Sequence, residues 1–172
     1  MRKDLYQPTI ETEARLLLLI NAFSSEAKSL DGRTKLTKLD FFLRYPEYLK
    51  RALQIKDPNL QIEVHPDEVT NIEAKMIRYR YGPWDPSYFS VLGRLIGKGL
   101  IRIVPSNKGI GYKATEEGKL LAKKIAADEN WREVAVRIKV LKRYFDLTGS
   151  NLMKFIYEYF PEVSGASWGE KL

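Results

Sequence analysis

The pattern of hydrophobic and polar positions predicts secondary structure most clearly in residues 81–122. After Pro86, apolar residues recur at helical spacing. Asp85 can cap the free amides at the start of such a helix, and proline is favoured at the first helical position. We therefore predict a helix that runs to about Lys98, and Gly99 provides a residue that can adopt the left-handed conformation ending a helix. The predicted buried arc of this helix consists of Tyr88, Phe89, Val91, Leu92, Leu95 and Ile96.

A β-hairpin is predicted to follow this helix. Residues 100–104 are rich in β-branched side chains, residues 105–109 favour a turn, and residues 112–114 can return as the partner strand. Thr115 is then placed to cap another helix. A helix followed by such a hairpin is the second half of a winged helix. We expect a mainly α (α+β) fold, a winged helix-turn-helix with a two- or three-stranded wing and a C-terminal helical extension.

The preceding segments supply the other helices of the predicted domain. Helical periodicity predicts helices over residues 11–23 and 34–43, and Pro46 begins a further short helix. Residues 54–71 carry two prolines and mixed polarity, so we interpret them as an inserted loop. Alternating polarity over residues 74–81 predicts a strand.

The C-terminal part is predicted to form two amphipathic helices, the second capped by Thr148. We divide the chain into a winged-helix domain (1–127), a helical pair (128–163) and a flexible tail (164–172). The helical pair either completes the core or docks a partner, and we favour docking. Its candidate docking residues are Leu152, Phe155, Ile156 and Tyr159.

Composition narrows the classes of function. The longest apolar run, residues 16–20, is too short to span a bilayer, and the N-terminal residues lack a secretory signal, so we expect a cytoplasmic protein with no membrane partner. The chain of 172 residues contains no cysteine, which excludes disulfides and thiolate chemistry. Its formal net charge of +7 favours polyanions or acidic protein surfaces.

Catalytic chemistry has little support in this sequence. His65 is the only histidine and lies in a proline-flanked segment, so a Ser-His-Asp arrangement or a histidine-based metal cluster is not expected. The glycines around residues 97–111 bracket a strand, whereas a phosphate-binding loop joins a strand to a helix. We predict a protein that is not an enzyme and has no catalytic residues, no metal site and no cofactor.

Binding of a macromolecule is better supported. The helix before the hairpin of a winged helix commonly enters the DNA major groove, while the wing contacts the backbone. The polar side of this helix carries only two cations among small residues, so a protein-docking module has equal weight with a DNA reader. The candidate DNA- or partner-binding residues are Ser87, Ser90, Arg94, Lys98 and Lys108.

Four segments together resemble one family of proteins. They are MRKDLYQPTIETEARLLLLINAF, TKLTKLDFFLRYP, RYRYGPWDPSYFSVLGRLIGKGLI and DLTGSNLMKFIYEYFPEV, which span most of the chain. The sequence resembles the middle component of bacterial ABC-three-component systems, which include the small accessory subunit of Lamassu-type anti-phage defence. RYRYGPWDPSY with LGRLIGKGLI is the most specific part of this resemblance.

The resemblance implies a small winged-helix subunit without catalytic residues. Such a subunit binds the heads of an SMC-like or ABC-type ATPase and helps to assemble or restrain an effector, often a nuclease. A separate hypothesis adds non-specific DNA contact inside the larger complex. An alternative from the residues alone is a homodimeric winged-helix transcriptional regulator. In that alternative, residues 130–160 form the dimer and Arg94, Lys98 and Lys108 hold DNA.

Overall fold

A computed structural model describes residues 8–70, 76–79 and 82–172. The predicted strand over 74–81 falls partly outside these residues. The described helices are α1 (Ile10–Phe23), α2 (Gly32–Arg44), α3 (Pro46–Lys56), α4 (Pro66–Thr70), α5 (Tyr88–Gly97), α6 (Glu116–Ala127), α7 (Arg132–Tyr144), α8 (Gly149–Tyr159) and α9 (Pro161–Ser164), with a 3₁₀ turn at Glu129–Trp131. The strands are β1 (Leu30–Asp31), β2 (Ile77–Tyr79), β3 (Gly82–Trp84), β4 (Ile101–Ser106) and β5 (Gly109–Ala114).

The described part of the chain is mainly helical with a small antiparallel sheet, as the α+β prediction required. The strand order is β1-β5-β4, with Leu30 opposite Tyr112 and Ile101 opposite Ala114. Strands β2 and β3 form a separate antiparallel pair. Both α5 and the β4–β5 hairpin occur where the sequence predicted a helix and a hairpin, although α5 begins at Tyr88 instead of Pro86.

The core is built around α1. Its apolar side chains point to several sides and pack against α2, α5, α6 and α7, so little of the helix is left for solvent. Leu16, Leu19, Ile20 and Phe23 are completely buried. Burial on every side explains why the sequence of this helix shows a nearly all-round apolar surface.

Buried hydrogen bonds to one carboxylate connect α5 to α1 and α2. The carboxylate of Asp40 in α2 accepts hydrogen bonds from Arg15 Nε of α1 at 2.5 Å and from the Tyr88 hydroxyl of α5 at 2.6 Å. Burial alone would raise the pKa of Asp40, but Arg15 and Arg44 outweigh it and hold this pKa below its usual value. Asp40 therefore stays ionised and fixes α5 against α1 and α2.

The junction between α5 and the hairpin is tight. Gly99 has φ +69° and follows the helix as predicted, and its carbonyl oxygen accepts a hydrogen bond from the Thr115 hydroxyl at 2.6 Å. Gly118 of α6 lies so close to this junction that a Cβ there would be 1.9 Å from the Leu100 carbonyl oxygen. Only glycine permits that approach of α6 to the segment after α5.

The predicted inserted loop contains helical residues, and the C-terminal tail makes backbone hydrogen bonds to β2. Residues 54–71 include the end of α3 and all of α4. Within the tail, the Leu172 amide donates to the Met76 carbonyl at 3.0 Å, and the Arg78 amide donates to the Glu170 carbonyl at 2.9 Å. The tail thus lies alongside β2, because β2 offers backbone groups that would otherwise lack partners. None of the described helices is long and apolar enough to span a bilayer.

Candidate partner-binding face of α5

The inner side of α5 packs on the core. Tyr88, Val91, Leu92 and Leu95 are at most 4% exposed and follow the i, i+3, i+4, i+7 spacing of one helical face. This buried face is narrower than the sequence predicted, because it excludes Phe89 and Ile96. The two excluded side chains lie together at one edge of the predicted arc, where the core does not cover them.

The outer side of α5 carries what we call the outer stripe, which consists of Phe89, Gly93, Ile96 and Gly97. These residues are spaced i, i+4, i+7 and i+8, so they share one side of the helix. Phe89 is 59% exposed and Ile96 is 38% exposed. A Cβ at Gly93 or Gly97 would meet nothing within 4 Å. The outer stripe is therefore apolar, with two glycines that leave the helix backbone accessible.

Phe89 is held in place although it is exposed. The guanidinium of Arg33 lies 4.8 Å from the centre of its ring, and the ring of Trp84 lies 5.6 Å from it. Arg33 belongs to α2 and Trp84 to β3, so two elements restrain one surface ring. An aromatic ring fixed in this way loses little conformational entropy when a partner covers it.

The two cations of α5 are paired with a carboxylate. Glu13 of α1 is only 5% exposed, and its carboxylate accepts from the Lys98 ammonium and, at 3.5 Å, from Arg94 Nη1. The Arg94 and Lys98 side chains are each about half exposed. The sequence did not reveal this pairing, since Glu13 lies 85 positions before Lys98. Glu13 reduces the positive field that this side of the helix presents.

The remaining predicted residues of this face do not form one surface. Ser87 is 4% exposed, and its amide donates to Asp85 Oδ1 at 2.7 Å, so the prediction of an exposed Ser87 is wrong because the residue belongs to the buried turn before α5. Ser90 is exposed. Lys108 is exposed in the β4–β5 turn and lines a different depression, together with Ser150 of α8.

The predicted docking residues of α8 are mostly core. Leu152 and Ile156 are fully buried, Phe155 is 8% exposed, and only Tyr159 is an exposed side chain, at 39%. Helix α8 packs against α2, which covers the apolar face that the sequence analysis had assigned to a partner. Of the two predicted roles for this helix, core completion describes these three residues, and docking stays a prediction for Tyr159 alone.

An exposed cluster joins the single histidine to two acids. Potential ligand atoms of Glu63, His65 and Glu133 lie within 4.8 Å of one another, a meeting that the sequence analysis did not expect. The His65 Nε2 is 2.9 Å from Glu133, and hydrogen bonding to this carboxylate, together with its charge, raises the pKa of His65. Arg137 lies 3.5 Å from Glu133 and donates to the Glu63 carbonyl at 2.8 Å. The protein's own cation thus occupies this acidic cluster, which we interpret as a network of ion pairs.

Comparisons with models of known families, with curated proteins and with solved structures give no match to this chain.

Proposed function

We propose that this protein is a non-enzymatic docking subunit with a winged-helix fold, which binds a partner protein through the outer stripe of α5. The winged-helix assignment is supported by α5, which lies directly before the antiparallel β4–β5 hairpin. The elements α1, β1 and α2 precede them in the chain, in the order of a winged helix. The sheet order β1-β5-β4 also agrees, because the short first strand lies beside the second strand of the hairpin. In this assignment α5 is the helix that DNA-binding members insert into the major groove.

The observation that carries the docking proposal is the exposed ring of Phe89, held between Arg33 and Trp84. Ordered aromatic side chains on an exposed surface are typical centres of protein interfaces. Gly93 and Gly97 would let a partner helix approach the backbone of α5 closely. A DNA-reading helix instead presents polar or cationic side chains to base edges, and the outer stripe has none.

The partner in this proposal follows from the resemblance described above. We assign the outer stripe to the ATPase heads of an SMC-like or ABC-type complex, in which this subunit helps to assemble or restrain an effector nuclease. A net charge of +7 is favourable for docking on an acidic protein surface.

Co-purification with an SMC-like or ABC-type ATPase whose gene adjoins this one tests the proposal. Replacing both Phe89 and Ile96 by Asp should abolish a complex that the unchanged protein forms, because desolvating a carboxylate at the centre of an interface is costly. Val136→Asp is the control, since Val136 is 50% exposed on α7 and lies outside the outer stripe. A complex that survives the double substitution, or that fails to form with the unchanged protein, would rule the proposal out.

Non-specific DNA binding is the second candidate, supported by the exposed Lys108 in the hairpin turn and by the half-exposed Arg94 and Lys98. Glu13→Gln separates the two candidates, because it releases both helix cations from their carboxylate. A DNA-binding protein should then bind duplex DNA more tightly and with a steeper dependence on salt. If α5 docks a protein instead, Glu13→Gln leaves DNA binding as weak as before.

A further inference from the structure

A cavity of about 470 Å³ lies between α2, the paired strands β2 and β3, and the start of α5. Its walls are mostly apolar and include Ile77, Pro83, Trp84 and Phe89. Lys38 also lines the cavity. The described lining residues include no carboxylate.

Lys38 is an unusual wall residue because its charge is buried. The residue is 1% exposed, and its ammonium has one hydrogen bond to a described residue, at 3.5 Å to the Pro83 carbonyl oxygen. That distance is at the long limit for a hydrogen bond, and an ammonium has three donors. At least two of these donors have no acceptor among the described residues. A buried ammonium in this condition is destabilising unless an acceptor is supplied.

Gly82, Tyr157 and Arg78 surround the Lys38 ammonium among the described residues, and none of them is a carboxylate. Gly82 has φ +100°, and a Cβ there would lie 3.3 Å from Lys38 Nζ and 3.4 Å from the ring of Tyr157. The Tyr157 hydroxyl is itself buried without a hydrogen-bond partner among the described residues. Arg78 of β2 lies over the Tyr157 ring, 5.2 Å from its centre, and contributes a second positive charge. Arg33 adds a further cation to the cavity wall.

Burial of Lys38, reinforced by the charge of Arg78, lowers the pKa of Lys38 from 10.5 to about 7. A bound anion would favour the charged form and raise this pKa again. The free protein at neutral pH therefore holds an amine that is about half protonated, while the complex with an anion would hold an ammonium.

We propose that this cavity binds a small organic anion, whose apolar body packs against Trp84 and Phe89 and whose oxyanion accepts hydrogen bonds from Lys38. The apolar walls favour a ring or a short hydrocarbon, and the two cations of the cavity wall, Lys38 and Arg33, favour a carboxylate or a phosphate monoester. This site is separate from the partner proposed above, although Phe89 contributes to both surfaces.

Binding of simple probes to the full chain tests this site. Benzoate and phenyl phosphate represent the two oxyanions on one ring, and benzamide is the uncharged analogue of benzoate. Calorimetry or ligand-observed NMR should detect the anions and give at least about tenfold weaker binding for benzamide, since a hydrogen bond to a charged group is lost. The tighter of the two anions identifies the oxyanion that the cavity prefers.

The pH dependence of benzoate binding tests the role of Lys38 without any substitution. Benzoate remains ionised between pH 6 and pH 8.5, whereas the charged fraction of Lys38 falls. The affinity should therefore decrease by roughly 30-fold over this range if only the charged form binds. An affinity that is constant with pH would overturn the assignment of Lys38 as the counter-ion.

Lys38→Met provides the matching variant. Removal of a buried and poorly satisfied ammonium should raise the melting temperature of the free protein and reduce benzoate binding at least about tenfold. Lys139→Met, at an exposed position of α7, removes the same charge and should change neither property. The proposal is overturned if Lys38→Met binds benzoate as tightly as the unchanged protein, if benzamide binds as well as benzoate, or if no anion binds at millimolar concentration.

Discussion

Helices α5 and α8 have nearly the same length, 10 and 11 residues, and both have apolar side chains beyond a single narrow face. In α8 the large side chains at Leu152, Phe155 and Ile156 are buried against the rest of the protein. In α5 the inner face is buried, while Phe89 and Ile96 remain exposed. The two helices therefore have similar apolar side chains, but neighbouring elements cover those of α8 and leave Phe89 and Ile96 of α5 exposed.

This difference separates an exposed apolar surface from core. The apolar face of α8 is covered by α2 and by neighbouring aromatic rings, including Phe145, whose ring centre lies 5.3 Å from that of Phe155. The outer stripe of α5 contains two glycines and one restrained aromatic ring, and these residues do not pack into the core. This exposed apolar surface is the reason for the docking proposal made above.

Phe155→Ala should produce the largest effect on stability. Removing a nearly buried ring leaves a cavity, so we expect the free energy of unfolding to fall by about 3 to 5 kcal/mol. Phe89→Ala, which removes the same ring from an exposed position, should change it by about 1 kcal/mol or less. Urea denaturation of both variants measures the contrast. Equal losses in the free energy of unfolding would mean that Phe89 is as well packed as Phe155.

Asp146 provides a test of how the C-terminal helices are attached. Partial burial alone would raise its pKa, but hydrogen bonds from Lys28, Lys35 and Lys142 lower this pKa far below the usual value. A lowered pKa stabilises the fold above the unfolded-state pKa, near 4, and this contribution is lost as the pH falls through the folded-state pKa. Asp146→Asn should therefore lower the free energy of unfolding by about 1 kcal/mol at pH 7.

The difference between Asp146→Asn and the unchanged protein should shrink as the pH falls below about 4. Unfolding curves of both proteins, recorded at pH 7 and pH 2.5, measure this difference in the free energy of unfolding. Lys142→Met serves as a comparison, because it removes only one of the three cations. A difference that stays constant with pH would show that Asp146 does not stabilise the fold through its charge.

Gly93→Ala should have the smallest effect on stability and the opposite sign. Alanine favours a helix over glycine, and a Cβ at this exposed position meets no neighbour, so the free energy of unfolding should rise by about 0.5 to 1 kcal/mol. The added methyl group would, however, obstruct a partner helix on the outer stripe. A variant that is more stable and binds the proposed partner more weakly is the expected combination, and unchanged binding would place the interface elsewhere. Lys139→Ala, at an exposed position of α7 outside the outer stripe, is the control.

Local signals explain which elements could be predicted from the sequence. The helix at α5 and the hairpin at β4–β5 depend on nearby residues such as Gly99, which has φ +69°, and Thr115, whose hydroxyl accepts from the Gly118 amide at 3.0 Å. These cap and turn preferences act over a few residues, so the local sequence was sufficient to predict α5 and the hairpin.

Contacts between distant residues explain what could not be predicted. Glu13 meets Lys98 across 85 positions, and His65 meets Glu133 across 68 positions. No periodicity encodes either pair. The burial of α8 likewise depends on α2, which lies more than 100 positions earlier, and the cavity beside Lys38 requires three separate elements to meet. The candidate site therefore required the tertiary structure.

The close approach at Gly118 limits how this protein can vary. Any other residue there would collide with the Leu100 carbonyl oxygen and separate α6 from the segment that joins α5 to the hairpin. Substitution at this position should therefore be tolerated only in chains where α6 has shifted away. In a set of diverged sequences, a glycine at this point would mark those that keep α5, the hairpin and α6 as a single rigid unit.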